Sequence, residues 1–396
     1  MNTDGIKKPT KRILGLNQNV FFMGMVSFFN DFSNEMILSV FPAFFAGVLK
    51  AGAASLGMVE GIADGASQFI KIFSGRYSDK IQKRKLPAVL GYALSVAVRP
   101  FYINASTLLG VLTPRVIDRV GKGLREAPRD SLISLSVQKE ELGKSFGFHR
   151  AMDTVGGIAG PLTAYLILRY MPNNFNAVFL CAFVIGLLAI FSFVFIKEVK
   201  VVAQYVSNKN SRIPLPPHFF SSLLSFFILS LGTLPVALML LRIADFGYDL
   251  STIPLFYLIY SVSVSIFSIG AGNLADKIGD RKVLFLGYVI LLFSYFALSF
   301  HGMVALVISF VLLGLFSAFT DGIQRAYISR ISAPEARGTA IGFLNGASGL
   351  GFLFAGIVGG LIWQNLGPIY AILVSGLVIL GGLFSLYIES RLRRLS

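Results

Sequence analysis

Charged side chains at helical spacing stand inside apolar stretches of this 396-residue chain. Asp31 and Glu35 are four residues apart, which places both carboxylates on one face of a helix, with Asn30 and Asn34 beside them. Near the centre of a bilayer a charge costs about 2.5–3.5 kcal/mol, so each one there needs a partner, a wet cavity or a function. Because two carboxylates one turn apart repel each other in a low dielectric, one of them could take up and release a proton near neutral pH.

Three further apolar stretches carry charges at helical spacings, so these charges also share helical faces. The charged residues are Glu60, Asp64 and Lys71 in the second stretch, Arg115, Asp118, Arg119, Lys122, Arg125 and Arg129 in the fourth, and His149, Arg150 and Asp153 in the fifth. These stripes cannot all face lipid, because buried charges without partners are too costly there.

The elements that carry these charges are predicted to be membrane-spanning helices. The chain is 55% hydrophobic and 14% charged, with a mean hydropathy of +0.72, which lies outside the range of ordinary soluble domains. Stretches long enough to cross a bilayer of roughly 30 Å recur about twelve times. They lie near 17–46, 52–77, 86–104, 106–127, 146–170, 176–197, 217–243, 252–273, 283–301, 303–328, 337–364 and 367–389.

The formal net charge of +15 is placed in a way that indicates topology rather than nucleic-acid binding. Basic residues cluster at the N-terminus and in every second loop, whereas the intervening loops carry about two, Lys50 and Arg169. This positive-inside pattern predicts cytoplasmic termini and an even number of spans. The first apolar segment is too long and too charged for a cleavable signal peptide, so we expect it to remain as the first span.

Other chemistries find little support in the sequence. Cys181 is the single cysteine, which excludes an intramolecular disulfide, and the three histidines have no metal-ligand spacing. We therefore expect no metal and no cofactor. No phosphate-binding loop is complete, so the energy for any transport would come from gradients.

The two halves of the chain share a repeated charged loop. Gly75, Asp79, Lys80 and Arg84 recur 197 residues later as Gly272, Asp276, Lys277 and Arg281. A polar stretch with three prolines separates the copies. We predict an N-terminal six-helix bundle at 1–196, a cytoplasmic linker at 197–218 and a C-terminal six-helix bundle at 219–396.

The repeated loop resembles the signature loop between the second and third helices of the major facilitator superfamily, Gly-x-x-x-Asp-Arg/Lys-x-Gly-Arg/Lys-Arg/Lys. It departs from that pattern at Gln82 in the first copy and at Asp280 in the second. Arg115 to Gly123 is similar to the family's fourth-helix pattern, and Gly156, Gly160 and Pro161 resemble the fifth-helix motif of its antiporters. The resemblance implies an all-α integral membrane protein with about twelve transmembrane helices, arranged as two six-helix bundles related by a parallel internal repeat.

In that fold the first and fourth spans line a central cavity. We therefore predict proton coupling by five carboxylates: Asp31, Glu35, Asp64, Asp118 and Asp153. We predict a substrate cavity that contains Asn30, Asn34, Arg115, Arg119, Lys122, His149 and Arg150. A purely structural role remains open for several of them, since Arg115 and Asp118 could simply pair, and Arg125 and Arg129 are expected to reach the cytoplasmic surface. In the second half, Arg242 with Asp245 and Asp321 with Arg325 are predicted to neutralise each other.

The resemblance also implies a gate. In the family the loop Asp meets the cytoplasmic end of the eleventh helix, and here Asp79 would dock near Ser332 to Glu335. By the repeat, Asp276 would approach the start of the fifth helix near Gly143 to Ser145. We expect both contacts to break when the cavity opens inward.

The function predicted is proton-coupled secondary transport by alternating access, with export of a small molecule in exchange for protons. The alternative within transport is proton-coupled symport of an anionic metabolite or carboxylate chelator, which the basic face of the fourth span favours. The rival class is a membrane-embedded enzyme, but no nucleophile with an adjacent base is visible in the sequence. We expect a monomer in the inner membrane of a bacterium, with the substrate, protons and the lipid bilayer as its partners.

Overall fold

The structure is a computed structural model that describes residues 12–81, 84–103, 105–199, 219–332 and 337–395. Side chains are described throughout these ranges except at 75–81, 139, 390 and 392–395.

A two-residue hairpin and a series of α-helices make up the described chain. The hairpin pairs β1 (Arg12–Ile13) with β2 (Leu16–Asn17) in antiparallel register. The helices are α1 Gln18–Phe44, α2 Ala53–Ile81, α3 Lys85–Ala97, α4 Leu108–Leu135, α5 Leu142–Tyr170, α6 Phe175–Ser192, α7 Phe219–Leu231, α8 Val236–Asp245, α9 Ile253–Ile278, α10 Asp280–Leu298, α11 Met303–Ile331, α12 Arg337–Leu366 and α13 Pro368–Leu395. A π-helical turn, Phe45–Leu49, continues α1.

Local sequence signals set where several helices begin and end. The side-chain oxygens of Asn17, Thr107 and Asn174 accept hydrogen bonds from free backbone N–H groups at the starts of α1, α4 and α6. Gly279, in the second copy of the loop motif, has a φ of +92° and turns the chain from α9 into α10. A residue with a side chain rarely adopts that conformation, so the glycine preferred there by the loop pattern has a backbone reason.

The helices form a twelve-span bundle, as the sequence predicts. In the described chain nine segments are long and apolar enough to cross a membrane by themselves, counting Phe219–Asp245 (α7 and α8) as one. The remaining three spans are α2 and α4, which carry many charges, and α3, which has only 13 helical residues. The charged helices still span because their polar stripes face the interior of the bundle, away from lipid.

The seventh span is broken between α7 and α8. Residues 232–235 are not helical, and Pro235 precedes the first turn of α8. The hydroxyl of Tyr295 on α10 accepts a hydrogen bond from Leu234 N at 2.8 Å and donates one to Gly232 O at 3.0 Å. Backbone groups freed by the break are therefore bonded within the protein, as a membrane interior requires.

The two ends of the bundle differ. At one end, Asn19 at the start of α1 bonds Lys197 O beyond α6, and Arg281 at the start of α10 pairs with Glu389 near the end of α13. We call this end the termini face and the opposite end the far face.

At the far face the two halves of the chain, which precede and follow residues 200–218, pack closely against each other. α2 packs along α12, where a Cβ on Gly57 would overlap the carbonyl oxygen of Gly356 and a Cβ on Gly360 would lie 2.7 Å from Ala53 O. The side chain of Gln364 covers Gly52 and accepts a hydrogen bond from Ala54 N at 3.1 Å. These contacts close the far face.

The division into two six-helix bundles stays a prediction. α5 also contacts α9, so the two sequence halves meet mainly along α2 with α12 and α5 with α9, with smaller contacts of α1 and α2 on α8 and of α1 on α9. Most of the predicted linker, 200–218, lies outside the described residues.

Candidate functional site

A cavity of about 700 Å³ lies between the two halves. Its wall is built from α1, α2, α4 and α5 on one side and from the broken seventh span and α9 to α12 on the other. Asp130, Arg150, Asp321 and Arg325 lie on its wall and are exposed, while the far face is closed by helix packing. The structure therefore has a cavity that is open toward the termini face.

Several of the predicted acidic residues are neutralised by ion pairs. Arg115 Nε and Nη2 contact Glu60 Oε1 and Oε2 at 2.9 and 2.7 Å, and this pair is buried. Arg119 Nε lies 3.3 Å from Asp64 Oδ1. Such arrangements satisfy charges taken out of water, and in particular the bidentate Arg115 contact is a strong geometry.

Four other carboxylates on the cavity wall have no lysine or arginine at ion-pair distance in the described chain: Asp31, Glu35 and Asp153 in the first half, and Asp321 in the second. Asn30 Nδ2 donates to Asp31 Oδ1 and Asn34 Nδ2 donates to Glu35 Oε1, each at 2.9 Å. Glu35 Oε2 also accepts a hydrogen bond from the hydroxyl of Tyr257 on α9. This bond joins the acidic helix of the first half to the opposite wall of the cavity.

The antiporter-like motif explains why Asp153 faces α1. A Cβ on Gly156 would lie 2.5 Å from Phe28 O, and one on Gly160 would lie 2.6 Å from Phe32 O, so both glycines let α5 approach the α1 backbone. Asp153 is one turn before Gly156, and it accepts a hydrogen bond from Ser27 of α1. The close packing thereby places Asp31 of α1 and Asp153 of α5 on the same cavity wall.

Four predicted site residues are not on the cavity wall, and these placements correct the sequence interpretation. Arg115 and Asp118 are both buried behind the wall, with Arg115 Nη1 3.5 Å from Asp118 Oδ2. Asn30 accepts a hydrogen bond from Arg99 at 3.3 Å, and His149 lies 3.5 Å from Asp153. Helical periodicity put these residues on the correct helices, but their contacts depend on neighbouring helices that the sequence does not reveal.

The other predicted cavity residues do line the wall. These are Asp31, Asn34, Glu35, Asp64, Arg119, Lys122, Arg150 and Asp153. Arg125 also lines it, which corrects the expectation that its side chain reaches the surface: its guanidinium lies 4.6 Å from the centre of the Tyr92 ring and donates to Ser95. Arg129 is partly buried and contacts Asp130 at 2.9 Å.

Sequence reasoning missed several polar residues. Arg99, only 1% exposed, donates to Ser33 and Asn30 and ties α1 to the end of the third span. Glu126 pairs with Lys71 at 2.9 Å on the cavity wall. Arg99 could have been found because an arginine inside an apolar run needs a buried partner. Glu126 could have been found because it lies four residues after Lys122, on the same helical face.

The two predicted pairs of the second half have different outcomes. Arg242 Nη1 lies 3.9 Å from Asp245 Oδ2, and Asp245 also accepts from Trp363 Nε1 at 3.1 Å, so this pair forms. Asp321 and Arg325 both line the cavity, are exposed, and make no ion pair with each other. The charge of Arg325 acts on Asp321 without an ion-pair contact, so their mutual neutralisation stays a prediction.

The gate prediction can be followed only in part. Gly75, Asp79 and Lys80 fall among the residues whose side chains are outside the described set, as does most of the segment 332–335 that Asp79 would meet. Arg84 is buried, and its Nε donates to Ser131 Oγ at 3.2 Å.

In the second copy, Gly272 has open space around it and Lys277 is exposed. Asp276 pairs with Arg330 on α11 at 2.6 Å instead of meeting the start of α5. Arg281 contacts Glu389 at 2.8 Å. The absence of the predicted Asp276 contact accords with a cavity that is open at this face, and the gate itself stays a prediction.

A twelve-span bundle around a charged cavity that opens at one face defines the class of membrane carriers. The sequence model of the Major Facilitator Superfamily matches residues 23–222 and 218–394. An uncharacterized MFS-type transporter of Methanocaldococcus jannaschii is 34% identical over 401 aligned residues, which cover 97% of this chain and 98% of that protein. This chain belongs to the Major Facilitator Superfamily and is a secondary transporter, not an enzyme.

Two other similarities are more limited. A tetracenomycin C resistance and export protein of Streptomyces glaucescens is 31% identical over 132 residues, 31% of this chain and 24% of that protein. A variant of the nucleoside transporter NupG has a similar structure, with a TM-score of 0.80, 15% identity and coverage of 93% of this chain and 99% of that chain. At that identity the similarity shows the fold alone.

Proposed function

We propose that this carrier moves a small molecule by alternating access, in exchange for protons, and that it exports that molecule. The observation that supports proton coupling best is the division among its acidic residues. Glu60, Asp64 and Glu126 have an arginine or lysine partner, whereas Asp31 and Glu35 face the cavity with none at ion-pair distance in the described chain.

A carboxylate in a low-dielectric cavity without a cation must obtain positive charge from elsewhere. A proton or a cationic group of the substrate can supply it, and competition between the two produces exchange. Glu35 is placed to link that exchange to conformational change, because its hydrogen bond with Tyr257 joins α1 to α9. Conformational change that separates these helices must break this bond.

Export is favoured by two limited similarities. Gly156, Gly160 and Pro161 resemble the antiporter motif and pack α5 on α1, and one partial relative is named as a resistance and export protein.

The second candidate is proton-coupled symport of an anionic metabolite. Lys122, Arg150 and Arg325 line the cavity and have no carboxylate at ion-pair distance within the described ranges, so they could bind a carboxylate or phosphate. The two candidates predict opposite proton movements.

We also propose that the protein lies in a bacterial inner membrane as a monomer with both termini in the cytoplasm. The clustering of lysine and arginine in alternate loops supports this orientation. In that orientation the cavity described here is open to the cytoplasm.

Lumenal pH in proteoliposomes tests the proposed coupling. Pools of anionic, cationic and zwitterionic organic compounds are added outside vesicles that carry the purified protein, with protein-free vesicles as the blank. We expect one pool to alkalinise the lumen, because entry of the substrate drives protons out. Acidification would establish symport instead, and no response to any pool would contradict proton coupling.

Variants locate the proton site in the same assay. Glu35→Gln and Asp31→Asn each remove one unpaired carboxylate, and we expect at least one of them to lower coupled proton flux about tenfold, a loss equivalent to about 1.4 kcal/mol. Glu140→Gln is the matched control, because Glu140 is an exposed carboxylate outside the cavity.

A further inference from the structure

We propose that the substrate is a zwitterion with an apolar or aromatic body. This inference rests on the proposed function in one respect, that the cavity is the substrate site, and it does not depend on proton coupling.

The two walls of the cavity differ in chemistry. The wall formed by α1, α2, α4 and α5 carries most of the charges. The opposite wall has few charges, Asp321 and Arg325, and combines aromatic and apolar side chains with uncharged polar ones. The aromatic residues are Tyr257, Tyr260, Tyr288, Phe316 and Phe352, and the uncharged polar ones are Thr233, Ser317, Thr320, Gln324, Asn345 and Ser348. A molecule that fills the cavity therefore meets charges on one side and aromatic rings on the other.

Beside its ion pairs, the charged wall carries groups of both signs that have no ion-pair partner within the described residues. Asp31 and Glu35 lack a basic partner at ion-pair distance, and Lys122 lacks an acidic one, among the side chains that the structure describes. The charge of Lys122 nevertheless acts on both Asp31 and Glu35, so the three groups belong to one site. All three line the same cavity and none is in an ion pair within the described residues, so each is available to a ligand.

A ligand with one charge would leave half of this site unsatisfied. A cation would contact Glu35 or Asp31 and leave the Lys122 ammonium without an ion-pair partner, and an anion would contact Lys122 and leave both carboxylates without one. Buried polar groups left unpaired oppose binding, which is why such sites discriminate strongly against ligands that lack one group. A zwitterion satisfies both signs at once, and its binding leaves a proton site available on the remaining carboxylate.

The opposite wall selects for an apolar body. Tyr257 and Tyr260 are 5.6 Å apart between ring centres, and Tyr260 is held by contact with Ser317 at 3.1 Å. Tyrosine faces bind aromatic groups and organic cations. With about 700 Å³ the cavity has the size of a site for a drug-sized ligand.

A set of probes on one skeleton tests the inference at equilibrium. The purified protein, in detergent and without a gradient, is titrated with four compounds while its thermal unfolding is measured. Phenylalanyl-phenylalanine is the aromatic zwitterion, its methyl ester the cation, its N-acetyl derivative the anion, and diglycine the zwitterion without an aromatic body. We expect the aromatic zwitterion to have a Kd at least about tenfold below each of the others.

Two cavity variants and one control distinguish a change in ligand recognition from a change in protein stability. Lys122→Met should weaken binding of the zwitterion and the acetyl derivative and spare the ester, whereas Glu35→Gln should weaken the zwitterion and the ester and spare the acetyl derivative. Lys282→Met is the control, because Lys282 is exposed and outside the cavity. Reciprocal changes of this kind would not follow from a general loss of stability.

The inference is overturned if the ester, the acetyl derivative or diglycine binds as tightly as the aromatic zwitterion, or if none of the four raises the unfolding temperature at millimolar concentration. Equal weakening of all probes by Lys122→Met would also overturn it. Binding is measured without proton movement, so the two assays are independent. Tight binding of the aromatic zwitterion with no change in lumenal pH would reject proton coupling alone. A change in lumenal pH without preferential binding of the aromatic zwitterion would reject the zwitterion inference alone.

Discussion

The charged residues inside this bundle fall into two groups with different roles. Arg115 and Glu60 are only 1% and 4% exposed and neutralise each other behind the cavity wall, whereas Glu35 and Lys122 face the cavity. The first group holds α2 and α4 together, and the second is available to a ligand. Charge inside a span is therefore not by itself a sign of a substrate site.

Arg115→Met should destabilise the protein strongly, because it leaves Glu60 buried without its partner. Removing one member of a buried ion pair costs about 3–5 kcal/mol, and we expect a correspondingly large fall in unfolding temperature in detergent. The control is the double variant Arg115→Met with Glu60→Met, which removes both charges and should recover most of the loss. If the single variant were as stable as the double one, the pair would not be structural.

For single residues, the sequence predicted well which helices carry the charges and poorly which side chains those charges contact. Spacing alone put Asp31 and Glu35 on one face of α1, and both line the cavity. It could not show that Arg115 turns toward Glu60 rather than toward the cavity, because that choice depends on how α2 and α4 are rotated against each other.

Among the helices, the contact of α1 with α5 determines the geometry of the acidic site. Small residues in a membrane allow backbones to approach, and Gly156 and Gly160 do so here. The next glycine, Gly157, points to a side of α5 where a Cβ would have no other atom within 4 Å. Two adjacent glycines of one helix therefore have opposite packing roles.

Gly156→Ala should push α5 away from α1, since its Cβ would lie 2.5 Å from Phe28 O. Overpacking of this kind costs about 1–3 kcal/mol, and we expect a lower unfolding temperature together with reduced proton-coupled flux. Gly157→Ala is the matched control and should be neutral or stabilising by up to about 1 kcal/mol, because alanine favours helix over glycine. Equal behaviour of the two variants would argue against close packing at Gly156.

Apolar runs predicted the number and order of the spans but not all of their shapes. The predicted stretch 86–104 is a short helix, α3, that ends at Ala97 and is followed by a 3₁₀ turn around Pro100. The stretch 217–243 contains a break at 232–235 that its hydropathy does not reveal. Apolar content indicates which segments lie in the membrane. The positions of such breaks depend instead on a few residues and on hydrogen-bond partners from other helices.

For the whole molecule, the closed far face and the open termini face describe one state of an alternating cycle. The halves touch at the far face through Gly57 with Gly356 and through Gly52 with Gln364. Transport by alternating access requires these contacts to separate when the cavity opens the other way.

A disulfide across the far face should stop transport. Gly52→Cys with Gln364→Cys, in a Cys181→Ser background, joins α12 to the chain just before α2, where the Gln364 side chain already covers Gly52. We expect oxidised protein to lose coupled flux and to regain it after reduction, with each single cysteine variant unaffected. Fully cross-linked protein that still transports would show that this face need not open.

The broken seventh span gives one wall of the cavity a mechanical freedom that an unbroken helix lacks. At 232–235 the regular helical bonding is interrupted, and Tyr295 of α10 holds the backbone there. Gly232 also lies against α13, and Leu234 packs on Gly359 of α12. Thr233 to Val236 also form part of the cavity wall. The wall can therefore bend at this point around substrates of different size with little loss of helical bonding, while α10, α12 and α13 limit how far it moves.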